Sequence, residues 1–199
     1  YSISVIDTKK LAGLNFKDLA ILARKFYNDT YTMDQFGCSS PNSVFWLGKN
    51  NVAKKKFWFE LSKIVNKTYD LDLSGANKKI SNLMNYTLNK NKKFKINIKN
   101  FNLLTLKSTE FNSNNLENIN FGTFLEINLK NLNYLRKFTS EKLQTITYYG
   151  IDFKIIKNFI LRNRIKGIDR IVPIGRAFDL TPEWDGIDII STLSRTIGN

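Results

Sequence analysis

Short runs rich in β-branched and aromatic residues alternate with longer amphipathic runs along the whole chain, and that alternation restricts the fold more than any other feature. "ISVID" at 3–7 reads as a strand. "NFKDLAILARKFYND" then repeats apolar residues at helical spacing through Phe16, Leu19, Ala20, Ala23 and Tyr27, with Asn15 as N-cap and Asp18 in the first turn. The pattern continues with strand "SVFWL" at 43–47, a helix through Phe57, Leu61, Ile64 and Val65, and a helix capped by Ser74 that carries Ile80, Leu83, Met84 and Leu88. "FKINI" and "FNLLTL" read as two strands of a hairpin, followed by a polar loop at 112–120. Strand "TFLEIN", helix 131–139, strand "LQTITYY", helix 152–162, strand "RIVPI" and a closing helix 186–197 complete the order. Strands separated by helices of ten or more residues need crossover connections, so they pair in parallel. The expected architecture is α/β: an open, mostly parallel sheet with helices on both faces.

The 199 residues are enough for one domain with a real core. No apolar run reaches the roughly 18 residues of a membrane span, and nothing at the start reads as a signal peptide. With a single cysteine, no internal disulfide can form, which suits a reducing, cytoplasmic setting. The first residue is Tyr1 rather than Met, as expected of a piece of a longer protein. The net charge of +14 is dense only at "AKKKF" (53–57) and "NKNKKFK" (89–95) and reads as solvated faces. The competing readings are nucleic acid or an anionic cofactor such as coenzyme A or a nicotinamide phosphate.

The absence of histidine excludes more chemistry than any motif suggests. A Cys-His hydrolase has no imidazole here, and one cysteine without histidine leaves only carboxylates for a zinc site. Neither G-x-G-x-x-G nor a Walker A sequence occurs, so the chain encodes no recognisable phosphate cradle. The lone Cys38 sits in "DQFGCSSPNSVFWLG", among small and turn-forming residues rather than apolar ones. It falls in a loop between a helix and a strand, the kind of place where reactive residues of α/β sheets gather. A thiol can work on a thioester without histidine, because the leaving thiolate needs little protonation and the oxyanion needs only N–H donors. Gly37 admits close backbone approach, and consecutive N–H groups from Cys38 onward offer such donors. The alternative is an incidental, packed thiol.

Two stretches resemble one family. "DQFGCSSPNSVFW" and "GIDRIVPIGRAFDLTPEWDGIDIISTLSR" (167–195) are similar to the acyl-CoA reductase family that supplies fatty aldehyde in bacterial luminescence, within the aldehyde dehydrogenase superfamily. Gln35, Cys38, Ser39, Ser40 and Pro41 match the cysteine motif, while Phe36 and Gly37 depart from it. Asp169, Arg170, Pro173, Gly175, Trp184, Asp185, Gly186 and Arg195 match the closing motif. "NFGTFLEI" resembles the superfamily's Glu-x-Phe-Gly segment, with Ile119 in place of the glutamate that holds a cofactor ribose.

The resemblance implies that residues 1–199 are an aldehyde dehydrogenase-like catalytic domain whose amino-terminal, Rossmann-type cofactor domain lies outside this sequence. It implies an NADPH-dependent long-chain acyl-CoA reductase in which Cys38 takes the acyl group as a thioester and aldehyde is released after hydride transfer. Gln35, Ser39 and Ser40 are expected to shape the loop or bind substrate. Arg170, Arg176, Trp184, Asp185 and Gly186 are expected at an active-site lip or cofactor contact, the alternative being turn and salt-bridge roles. The implied partners are acyl-CoA or an acylated protein and an acyl-transferring enzyme; nucleic acid is not expected, and homo-oligomerisation is left open. The competing functions are a basic binding module and a non-catalytic family member that acts through assembly.

Overall fold

A computed structural model of the protein describes residues 1–88, 95–107, 119–184 and 186–195. In chain order it contains β1 (Ser2–Asp7), α1 (Thr8–Ala12), α2 (Phe16–Thr30), β2 (Pro41–Leu47), α3 (Asn51–Thr68), α4 (Leu73–Leu88), β3 (Lys95–Asn100), β4 (Leu103–Lys107) and β5 (Thr123–Leu129). A 3-10 helix (Leu132–Phe138), β6 (Thr145–Tyr149), α5 (Phe153–Arg162), β7 (Arg170–Pro173), β8 (Glu183–Trp184), β9 (Ile187–Asp188) and α6 (Ile189–Leu193) follow.

Seven strands form one sheet in the order β3-β4-β5-β2-β1-β6-β7, parallel throughout except for the antiparallel β3–β4 hairpin. The central strands are buried on both faces, which is why they read as near-continuous apolar runs. Side chains alternate between the two faces. Ile3, Val5, Phe45 and Ile127 pack with Leu135 and Phe138 of the 3-10 helix and with Ile156 and Phe159 of α5. Ile6, Val44, Trp46 and Phe124 pack on the other side with Leu22, Ala23 and Phe26 of α2 and with Phe57, Trp58 and Leu61 of α3. Glu126 is the buried carboxylate of β5; the Trp58 Nε1–H donates to it, and Lys107 pairs with it at 2.7 Å.

The α/β architecture and the seven strands of the main sheet are as expected, and Asn15 caps α2 by accepting from the Asp18 amide at 2.9 Å. Several local expectations are corrected. The buried stripe of α2 runs through Leu19, Leu22, Ala23 and Phe26, while Phe16 is 68% exposed, so the stripe is rotated from the expected one. Ser74 lies inside α4; Asp72 caps it by accepting from the Gly75 amide at 2.6 Å. Ile80, Met84 and Leu88 face outward, and the face turned to the sheet is Gly75, Lys79, Leu83 and Tyr86, also at helical spacing. The segment 131–139 tightens into the 3-10 helix, and residues 8–12 form an unanticipated helical turn capped by Asp7. The closing helix shrinks to Ile189–Leu193, because β8 (Glu183–Trp184) first pairs with β9 (Ile187–Asp188) and Asp188 supplies a new N-cap. Phe94, residues 112–118 of the polar loop, the lysines of 89–94 and positions 196–197 lie outside the described residues.

Phe26 meets the rings of Phe57, Trp58 and Phe124 at centroid distances of 5.4, 6.1 and 5.4 Å. Phe26→Ala is therefore expected to lower the unfolding free energy by about 3–5 kcal/mol. Phe16→Ala should change it by no more than about 0.5 kcal/mol. Urea unfolding of both variants checks the phase of the helix.

Candidate active site around Cys38

The loop between α2 and β2 crosses the amino-terminal ends of the parallel strands, where Ser2, Pro41, Thr123, Thr145 and Arg170 begin β1, β2, β5, β6 and β7. This is opposite to the carboxyl-end crevice usual for open α/β sheets. Small hydroxyl residues at these strand starts tie the loop down. Ser2 Oγ donates to the Cys38 carbonyl at 2.6 Å and accepts from the Thr145 amide at 3.1 Å. Thr145 Oγ1 and Ser39 Oγ are 3.1 Å apart, and Ser40 Oγ donates to the Asp29 carbonyl at 2.7 Å. The backbone of Cys38 is thus fixed while its thiol stays exposed.

Gln35 holds the other end of the loop. Asp34 and Gln35 both adopt left-handed backbone conformations (φ 51° and 63°), which turns the Gln35 side chain inward, where it is buried. Its Nε2 donates to the carbonyls of Pro41 and Thr123, both at 3.2 Å, and its Oε1 accepts from the Gly122 amide at 2.8 Å. That uses both amide hydrogens and the oxygen, so the side chain has one sensible orientation. Gly37 touches the Phe178 ring so closely that a Cβ would lie 2.6 Å from it. Phe36 meets Phe121 edge-to-face at 5.1 Å.

The two stretches that stand out in the sequence meet here. Asp29, buried at the end of α2, accepts from the amides of Gly175 at 2.6 Å and Ala177 at 3.1 Å. Burial pushes its carboxyl up to about 6, against the lowering effect of those two amides. Arg170 is buried; its Nη1 donates to the Ala177 carbonyl at 2.9 Å and its Nη2 to the Asp179 carbonyl at 2.5 Å. Its guanidinium lies 4.9 Å from the centroid of the Trp184 ring. Arg176 pairs with Asp179 at 2.6 Å on the surface. Gly186 is exposed with φ +74°, and Asp185 lies outside the described residues.

A cleft of about 400 Å³ opens over the thiol, lined by Tyr1, Gln35, Phe36, Gly37, Cys38, Ser40, Asn42, Asn120 and Lys142. Gln35, Cys38 and Ser40 are the sequence candidates that reach it, with Ser39 buried behind the loop. Arg170 lines a separate groove between α5 and β7, and Arg176, Trp184 and Gly186 are not among the residues lining the cleft. The sequence reading missed Asp29, Asn42, Asn120 and Lys142. Asn42 carried a signal, being an amide at the head of an apolar strand; Asp29 did not, because an acidic residue near a helix end reads as solvated. Among the described residues no three His, Cys, Asp or Glu side chains converge as a metal site, and no helix is long and apolar enough to cross a membrane.

No protein-family model matches the chain, and no curated protein matches it in sequence. Solved structures do match it in fold. An NAD-dependent aldehyde dehydrogenase from Sinorhizobium meliloti superposes over 92% of this chain with a TM-score of 0.59 at 10% identity. The fold is that of the aldehyde dehydrogenases. A mutant 1-pyrroline-5-carboxylate dehydrogenase from Thermus thermophilus covers 87% at a TM-score of 0.55 and 11% identity, and an aldehyde dehydrogenase from Pseudomonas aeruginosa covers 90% at 0.54 and 8%. The chain spans only 38%, 36% and 38% of the lengths of these three proteins.

The Asp29 latch has a testable pH signature. A carboxyl raised from 3.8 to about 6 in the folded state binds its proton more tightly there, so its contribution to stability falls as pH rises between those values. Relative to wild type, Asp29→Asn should gain stability across this window, by up to about 3 kcal/mol before the cost of the lost amide acceptor. Urea midpoints measured in parallel from pH 4 to 7 check it, and a constant offset between the two proteins would count against the assignment.

Proposed function

We propose that this chain is the thiol-bearing catalytic domain of an NADPH-dependent acyl-CoA reductase that forms long-chain fatty aldehyde in the cytoplasm. The observation that carries the reading is Cys38 itself: an exposed thiol on a backbone pinned by Ser2 and Gln35, at the floor of a cleft. A thiol kept only for packing would be buried among apolar side chains. The aldehyde dehydrogenase fold and the two motif stretches support the same class.

In this reading the Cys38 thiolate attacks the carbonyl carbon of an acyl thioester. A new C–S bond forms to Cys38 as the bond to the donor sulfur breaks, and the donor leaves as a thiolate. Among the described residues the Cys38 and Ser39 amides carry no hydrogen bond, which leaves two N–H donors for the oxyanion. A thiolate leaving group needs no general acid, so the step tolerates a chain without histidine. Gln35 and Ser40 keep the loop in one conformation while the acyl group is held.

Reduction of the acyl-enzyme requires a hydride, the chemistry a reduced nicotinamide supplies when bound. The segment that resembles the superfamily's ribose-holding one offers it little here. Ile119 offers no polar side-chain atom for a ribose and is buried, and the Gly122 amide is taken by Gln35. We therefore assign cofactor binding mainly to chain outside this sequence and the thioester chemistry to this domain. The donor is acyl-CoA or an acylated partner, delivered directly or by an acyl-transferring enzyme.

The full-length protein incubated with a radiolabelled long-chain acyl-CoA should retain label through a hydroxylamine-sensitive bond, with release of one equivalent of free thiol. Cys38→Ala should reduce that label by at least about a hundredfold, as for loss of a nucleophile. Persistence of the label in Cys38→Ala would overturn the proposal.

A further inference from the structure

Lys79 is a buried lysine with no counter-ion among the described residues. It points from α4 into the protein, 2% exposed, and its Nζ donates to the Phe121 carbonyl at 2.5 Å. The Phe101 ring lies 5.3 Å from the nitrogen. Among the described residues no carboxylate reaches it. Beside it is a void of about 10 Å³, at the lower limit for one water, lined also by Asn82, Leu83, Tyr86, Ile119, Asn120 and Thr123. A methionine or leucine would fill this place at less desolvation cost, so a lysine here calls for a role.

Its hydrogen-bond partner Phe121 sits under the cysteine loop. Phe121 and Gly122 form a left-handed turn with φ 57° and 72°. The Phe121 amide donates to the Asp34 carbonyl at 3.2 Å, and the Gly122 amide to Gln35 at 2.8 Å. Gln35 in turn donates to Thr123, just beyond the turn. Asn120, which precedes the turn, lines both the void beside Lys79 and the cleft over Cys38.

We propose that Lys79 is a positioning residue for Cys38: by holding the Phe121 carbonyl it sets the turn on which the cysteine loop rests. The inference rests on the reading of Cys38 as the reactive thiol, and needs neither a cofactor nor a particular acyl donor.

The ionisation of Lys79 gives this arrangement a pH dependence. Desolvation lowers the amine from 10.5 to about 7, so the folded protein favours its neutral form. A lysine lowered in this way favours folding above pH 10.5, and the benefit is lost as pH falls toward 7. Below that value a charge with no carboxylate partner among the described residues sits under the turn. The ionisable groups around it among the described residues do not answer that charge. Tyr86 of α4 is a phenol whose burial raises it well above the ordinary value, and the Asp34 carboxylate across the turn accepts from the Tyr69 hydroxyl at 2.6 Å. The segment 119–123 contributes no ionisable side chain.

The test follows alkylation of Cys38 by iodoacetamide in the full-length protein, read on its own peptide by mass spectrometry between about pH 6 and about pH 10. Wild type should show an inflection near pH 7 in addition to the thiol's own. Lys79→Met should abolish that inflection and change the rate by about tenfold or more. Lys79→Gln, which still donates to a carbonyl but does not titrate, should restore the rate without the inflection. Rates and profiles in Lys79→Met equal to wild type would overturn the proposal. A wild-type Lys79 Nζ found by ¹⁵N NMR to titrate near 10.5, a measurement that requires no variant to fold, would overturn the pH dependence. Lys79-dependent alkylation without acyl transfer from acyl-CoA would sink the reductase reading alone.

Discussion

A single side-chain amide, that of Gln35, joins the parts of the candidate site. It sits where two consecutive left-handed residues turn the chain back toward the sheet, and it satisfies two carbonyls and one amide that would otherwise be buried unpaired. Hydrogen bonds of this kind contribute modestly each, but leaving one of these groups buried and unmet costs about 1–3 kcal/mol. The loop therefore has one well-satisfied conformation, and Cys38 is presented in it. Asp29 and Lys79 extend the arrangement in two directions, the first to the carboxyl-terminal segment and the second to α4.

The placement of the site follows from the direction of the strands. Strand starts at the amino edge carry Ser2, Thr123 and Thr145, short side chains that can bond to a neighbouring backbone without filling the cleft. Cys38, Asn42 and Asn120 then share an opening with Phe36, which leans on Phe121. In a sheet whose faces are both covered by helices, the strand ends are where backbone and solvent meet. Here the chain uses the amino ends.

The sheet and most of its helices were legible because burial on two faces leaves an unmistakable run such as "SVFWL", and because Asn15 caps α2 as its chemistry suggests. The exposure of Cys38 was legible from its small polar neighbours. What could not be read were polar groups whose burial depends on distant partners. In α4 the apolar residues Ile80, Met84 and Leu88 outline a buried face in the sequence, yet the real one contains Lys79, which donates to the Phe121 carbonyl. Arg170 looked available for an anion, whereas two of its donors are taken by carbonyls within its own segment. The closing segment reads as one helix, but Asp188 restarts the chain after a hairpin that local propensity does not announce.

The contacts around Cys38 also dictate an order of assembly. Ser2 reaches Cys38 and Thr145, and Asp29 reaches Gly175 and Ala177, so residues from nearly the whole length must gather before the loop is seated. Parallel pairing of β1 with β6 imposes the same long closure. During synthesis these contacts cannot all form until Ala177 has been added. A chain truncated before Thr145 consequently carries the cysteine without the contacts that hold its loop.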